Sequence, residues 1–165
     1  MTPQLKVLFI YRLRQSQLRE EGFTLLELLV VVIIMGVLGA IATPTFLNQA
    51  AKARQAEAQT YVSAINRGQQ MYYLEQGKFS NNLESLGLGI PERTEDYSYV
   101  STSRQSGQVS VTRAESTDIT TLRDYAGRTW VVRNPETDVR VIRLLFCEGT
   151  LGQRLPSLNN RTTCP

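Results

Sequence analysis

The chain has 165 residues, 42% hydrophobic and 20% charged, with a net charge of +3, which is room for one modest domain plus an apolar anchor. It contains no histidine, and this removes Ser/His/Asp and Cys/His nucleophilic sites along with the commonest metal ligand. The basicity is unevenly placed. Residues 1–22 carry Lys6, Arg12, Arg14 and Arg19 against Glu20 and Glu21, a net of +2, and the rest of the chain contributes +1. Beyond the first segment the arginines alternate with acids and form no dense block, so no direct nucleic-acid binding is expected.

Residues 1–22 read as a leader whose apolar patch, Val7 to Tyr11, is too short to cross a membrane. From residue 23 to about residue 75 the pattern is that of one long helix. Its first half, 23–47, is apolar on every face, with no charge from Leu28 to Ala51. At 1.5 Å per residue that half spans roughly 35 Å, enough to cross a bilayer. Glu27 sits inside this run, where a carboxylate costs on the order of 2.5–3.5 kcal/mol and needs a partner. Gly36 and Gly39, with Ala40 and Ala42, form a small-residue patch that lets apolar helices approach closely. Pro44 removes a backbone donor at the point where the pattern changes, so a kink or a locally melted stretch is expected there.

Residues 48–76 are amphipathic. The stripe Ala51, Ala58, Tyr61, Val62, Ile65, Gly68 and Tyr72 runs at three- and four-residue spacings and reads as a core face. Lys52, Arg54, Glu57, Gln59, Asn66, Arg67 and Glu75 mostly take other faces, and Gly77 suits a C-terminal cap. The segment from 77 to about 95 reads as an irregular connection with a short helical turn near Leu83–Leu86. Four strands follow: Tyr97–Ser101, Gln108–Arg113, Thr129–Arg133 and Val139–Phe146, the last two joined by a hairpin loop at Asn134–Asp138. Ala114–Gly127 is polar and ambiguous. The expected fold is α+β: a long N-terminal helix packed through its second half on a small antiparallel sheet, with residues 77–165 as the globular β domain.

Cys147 and Cys164 lie near the C-terminus, and a disulfide is the natural reading if that end is extracytoplasmic. Two cysteines alone are not a zinc site, and Glu92, Glu95 and Asp96 lack the alternating ligand spacing of a calcium loop. No catalytic group, metal or cofactor is expected. Asn160-Arg161-Thr162 fits a glycosylation pattern, but three residues match too readily by chance to carry weight.

Gly22-Phe23, an acid four residues later and a long apolar helix occur in this order in EGFTLLELLVVVIIMGVLGAIATPTFL. This resembles the prepilin signature of type IV pilins and pseudopilins, and the helix ending YYLEQGKFS with a late cysteine pair is similar to cyanobacterial-type pilins. The resemblance implies cleavage between Gly22 and Phe23 by a membrane-embedded prepilin peptidase, with N-methylation of Phe23. It implies pairing of Glu27 with the Phe23 amine of its own or a neighbouring subunit, and helix unwinding at Pro44 in the filament. Membrane lipid before assembly, an assembly platform and other pilin subunits are the implied partners. The implied location is a single pass through the inner membrane with a cytoplasmic N-terminus, then an extracellular filament. An ordinary secretory signal ending at Ala40-Ile41-Ala42 competes with this. Glu27 inside the apolar run and the helical pattern continuing past Thr43 count against it. A minor pilin, a type II secretion pseudopilin and a single-pass anchor for a binding domain stay open as alternatives.

Overall fold

The computed structural model describes residues 24–165, so Gly22 and Phe23 lie outside the described residues. Helix α1 runs Leu25–Gln76 and is followed by a 3-10 turn at Glu84–Leu86. Four strands then form one antiparallel sheet in sequence order: β1 Tyr97–Arg104, β2 Val109–Ser116, β3 Tyr125–Arg133 and β4 Arg140–Glu148. The chain divides into two compact units, one ending at Phe46 and one running Leu47–Pro165.

In the first unit α1 is preceded by Thr24, whose side-chain oxygen accepts the Glu27 amide at 3.1 Å and so satisfies one of the donors a helix start leaves free. The helix continues through Pro44 without interruption. Pro44 cannot donate to the carbonyl four residues back, and beside it the Thr43 hydroxyl donates to the Gly39 carbonyl at 2.7 Å.

In the second unit α1 ends where the sequence expects. Gly77 adopts φ +69° and returns its N–H to the Tyr73 carbonyl at 2.9 Å, a left-handed conformation costly for any residue with a Cβ. The helix lays Ala58, Val62 and Ile65 on Tyr97, Tyr99, Ala114, Leu122 and Tyr125 of the sheet side. Val62 and Ile65 each contribute roughly 1.5–3 kcal/mol by leaving water. A row of rings crosses the sheet beneath the helix: Tyr61 meets Tyr99 edge-on at 5.3 Å, and Tyr125 stacks on Phe146 at 6.0 Å.

The strands differ in extent from their sequence patterns. β2 runs on to Ser116 and β3 begins at Tyr125, so part of the ambiguous stretch Ala114–Gly127 is sheet and only its middle is a loop. Polar residues hid this. Ser116 at the end of β2 and Asp124 just before β3 are buried, so alternation of polarity does not report where these strands run. The loop at Asn134–Asp138 is a hairpin as expected, with the Asp138 amide donating to the Asn134 carbonyl at 3.0 Å.

Two assignments along α1 are corrected. Asn66, placed on the solvent side by sequence, is 1% exposed and faces the sheet. It fits because it sits over Gly127, where any Cβ would overlap the Asn66 amide. Tyr72, placed in the core stripe, is only half-buried, and its neighbour Tyr73 is buried instead, against Phe79 with ring centroids 4.8 Å apart. The stripe drifts because 3.6 residues per turn carries a repeat of threes and fours around the helix over five turns.

The other face of the sheet has its own core. Val109, Val111, Ala126 and Cys147 are covered by Leu155 and Leu158 of the C-terminal tail. Cys147 is bonded to Cys164, closing the tail over this face.

Candidate assembly segment

Among the described residues the first unit is the bare start of α1. Every residue from Thr24 to Gln49 is exposed, and Ile33, Met35, Leu38 and Phe46 are 56%, 68%, 61% and 72% exposed. The helix is long and apolar enough to cross a membrane, with a mean hydropathy of 2.8 over its best 18 residues. A soluble monomer rarely leaves so continuous an apolar surface in water, so this segment demands lipid or other chains as its surroundings.

Glu27 is exposed in the first turn of α1, where a carboxylate is favoured by the partial positive charge of the helix start. Its side chain makes no hydrogen bond or ion pair among the described residues. Outside the helix's own backbone, no atom of the described residues lies within 4 Å of where a Cβ on Gly36 or Gly39 would stand, so nothing among them requires glycine there. With Ala40 and Thr43 they line one face of the helix at spacings of three and four. Glu27, Gly36, Gly39 and Pro44 thus share one exposed helix, whereas Cys147 and Cys164 belong to the second unit.

The second unit holds a polar centre that sequence reasoning missed. Asp124 is 2% exposed and accepts the Ser116 amide at 2.8 Å, the Ser116 hydroxyl at 3.0 Å and the Arg154 guanidinium at 3.0 Å. The same carboxylate accepts the Leu155 amide at 3.3 Å, so one buried acid ties β2 to the tail that roofs it. Arg113 adds a bond to the Leu155 carbonyl at 3.0 Å. An Asp next to a strand has no local signature, and only the returning tail reveals it.

Gln69 makes a second buried link. Its amide spans the Ser80 amide at 2.8 Å, the Ser80 carbonyl at 3.0 Å and the Ser101 hydroxyl at 2.8 Å, joining α1 to the following loop and to β1. Asn66 and Thr129, by contrast, are buried polar side chains without a hydrogen-bond partner among the described residues. Burial pushes the Tyr99 phenol up to about 12, and burial raises Tyr97 and Tyr125 as well. Arg128 is lowered by burial while its guanidinium lies 4.7 Å from the Trp130 ring centre. In the exposed loop before β3, the Asp118 carboxyl is held below its ordinary range chiefly by the Thr120 hydroxyl, then by the Thr120 amide and the Thr121 hydroxyl.

One apolar N-terminal helix running into a helix-on-sheet domain of four antiparallel strands is the α+β arrangement of pilin-like proteins. Residues 55–165 match the family described as Type IV pilin-like G and H, and residues 18–43 match the prokaryotic N-terminal methylation motif; the chain belongs to this pilin-like family. It is 40% identical over 81 residues to the type IV major pilin protein PilA of Myxococcus xanthus, covering 49% of this chain and 36% of that one. It is 36% identical over 72 residues to the type IV major pilin protein PilE1 of Neisseria gonorrhoeae, covering 44% of each. It is also 32% identical over 76 residues to the type II secretion system core protein G of Dickeya chrysanthemi, covering 46% of this chain and 50% of that one. The chain therefore spans half or less of the length of these three relatives.

Proposed function

We propose that this chain is a structural subunit of a type IV pilus rather than an enzyme. The observation that carries the reading is the bare apolar helix, with Glu27 in its first turn and the methylation motif over residues 18–43. Residues 1–22 are the leader, removed between Gly22 and Phe23 by a prepilin peptidase that methylates the new amine of Phe23. Residues 23–47 hold the subunit in the inner membrane with the N-terminus on the cytoplasmic side, where the basic leader favours it. The same segment then leaves lipid for the core of the filament on an assembly platform.

In that core the Glu27 carboxylate meets the Phe23 amine of a neighbouring subunit. Desolvation removes much of the Coulombic gain, so the pair contributes register more than affinity, since a subunit out of step leaves a buried charge unpaired. Gly36 and Gly39 let neighbouring helices approach, and Pro44 marks the place where the helix unwinds as the filament forms. The disulfide between Cys147 and Cys164 holds the exported tail on the sheet.

Similarity to a type II secretion core protein favours a pseudopilin as the second reading. One experiment separates the readings: mass spectrometry of the mature chain, together with its share of sheared surface filaments. A methylated Phe23 terminus with this chain as the bulk filament protein supports the pilus. A methylated terminus in a cell whose sheared filaments lack the chain supports the pseudopilin, and a terminus at Thr43 overturns both.

A further inference from the structure

Past the end of α1, the β1–β2 turn and the segment Lys78–Ser85 enclose an open cavity of about 610 Å³. Its size is that of ordinary ligand sites. Its walls contain Lys78 and Arg104 and not one Asp or Glu. Neither cation has an ion-pair partner among the described residues. Asn81, Asn82, Ser85, Ser103, Gln105 and Ser106 supply hydroxyls and amides to the wall, and Tyr72 and Phe79 supply two aromatic rings. The Asn81 and Asn82 side-chain oxygens are used internally, accepting the Ser103 and Ser85 amides at 3.0 and 2.8 Å, and this fixes where those side chains stand.

The turn that forms one wall is held in a costly conformation. Gln105 and Ser106 both have positive φ, 52° and 53°, in a tight hairpin turn where Asn-Gly would be unstrained. Gly107 follows at φ +86°, and its carbonyl accepts the Phe79 amide at 2.9 Å. A Cβ on Gly107 would come within 2.7 Å of the Lys78 Cβ, so glycine is what lets the two walls meet. Folding alone does not call for Gln and Ser in this turn, and strained residues of this kind gather at ligand sites.

The geometry points to a binding site for an anionic saccharide, with Lys78 and Arg104 on its carboxylate or sulfate and the surrounding amides and hydroxyls on its ring hydroxyls. Two cations are too few for the long basic track a nucleic acid needs, and the dense uncharged donors and acceptors suit a polyhydroxylated unit. The inference is independent of the pilus reading: its failure leaves filament assembly untouched, and loss of assembly leaves the cavity intact.

The test is calorimetric titration of the full chain in detergent micelles with trigalacturonate, a sulfated carrageenan oligosaccharide, maltotriose and a short single-stranded DNA. One of the two acidic sugars should bind about tenfold or more tighter than maltotriose, and more weakly at high salt. The K78Q/R104Q double variant, whose melting should be unchanged because both side chains are exposed, should lose that preference. The R140Q/R143Q variant on β4 should keep it. Binding of neither acidic sugar, equal binding of maltotriose, tighter binding of the DNA, an unchanged affinity in K78Q/R104Q or an equal loss in R140Q/R143Q would each overturn the site.

Discussion

Residues 25–46 and 47–76 belong to one helix by assignment, yet their side chains meet opposite surroundings. The earlier stretch exposes leucine, isoleucine and valine on every face. The later one buries a stripe through Ala58, Val62 and Ile65 and turns Lys52, Arg54 and Glu57 to solvent. Helical backbone is thus stabilised in two ways. In lipid or a dry filament core the helix satisfies its own backbone groups because nothing else can. In water it forms because a packed face offsets the entropy of ordering it. Mutations in the first stretch should therefore be read out in assembly, and mutations in the second in folding.

The largest effect expected is on assembly. Glu27→Gln keeps size and hydrogen-bonding capacity but removes the charge, so sheared filaments should fall tenfold or more against membrane-retained subunit, while the domain's thermal midpoint stays put. Wild-type filament yield, in cells with no other pilin able to carry it, would show that the carboxylate has no role in docking.

Next comes a matched pair. Ile65→Ala removes a fully buried side chain and should lower domain stability by about 2–5 kcal/mol in denaturant titration of the detergent-solubilised chain. Ile33→Ala, 56% exposed, should leave the same titration unchanged. A cost at Ile33 equal to that at Ile65 would mean that the two stretches do not differ in what stabilises them.

Within the second unit the disulfide can be set against the rest of the tail. Cys147→Ser should cost roughly 3 kcal/mol in the chain-entropy model for a loop closed over 17 residues. Asp124, Arg154 and Leu155 remain to hold the early part of the tail. Hydrogen exchange should accordingly rise after about residue 158 and stay low in α1. Uniform loosening of the whole domain would contradict this division.

Two buried amides make a finer test. Gln69→Ala leaves the Ser80 amide without its acceptor and the Ser80 carbonyl without its donor, while the Ser101 hydroxyl keeps Ser110 and Thr112 as partners, and should cost about 2 kcal/mol or more. Asn66→Ala removes an amide that has no partner to lose, so its cost should stay within about 1 kcal/mol. Equal costs would show that Asn66 is satisfied by an ordered water.

The smallest effect at neutral pH is an alkaline one. Burial holds the Tyr99 phenol at about 12 in the folded chain, with Tyr97 and Tyr125 raised in the same sense, against an ordinary value of about 10. Above about pH 10 the unfolded chain binds fewer protons than the folded one, so stability falls as pH rises from about 10 to about 12 and is fully present below that window. Tyr99→Phe, which removes the buried phenol, should be nearly neutral at pH 7 and should flatten the alkaline slope. An unchanged slope would exclude Tyr99 as its source.

The order of elements, the apolar first stretch with Glu27 inside it, the end of α1 at Gly77 and the hairpin at Asn134–Asp138 are all legible in the amino-acid sequence. Each of these depends on local chemistry: runs of apolar residues, a glycine free to take positive φ, turn residues between strands. The strand extents near Ala114–Gly127, the inward turn of Asn66 and the exchange of Tyr72 for Tyr73 were decided only by tertiary structure. Polar side chains there are buried against a particular partner, Gly127 for Asn66, that lies 61 residues away and leaves no periodic trace. Asp124 belongs with them. A carboxylate becomes the anchor of the C-terminal tail only once the chain returns to place the Leu155 amide and the Arg154 guanidinium around it, and no local pattern encodes that return.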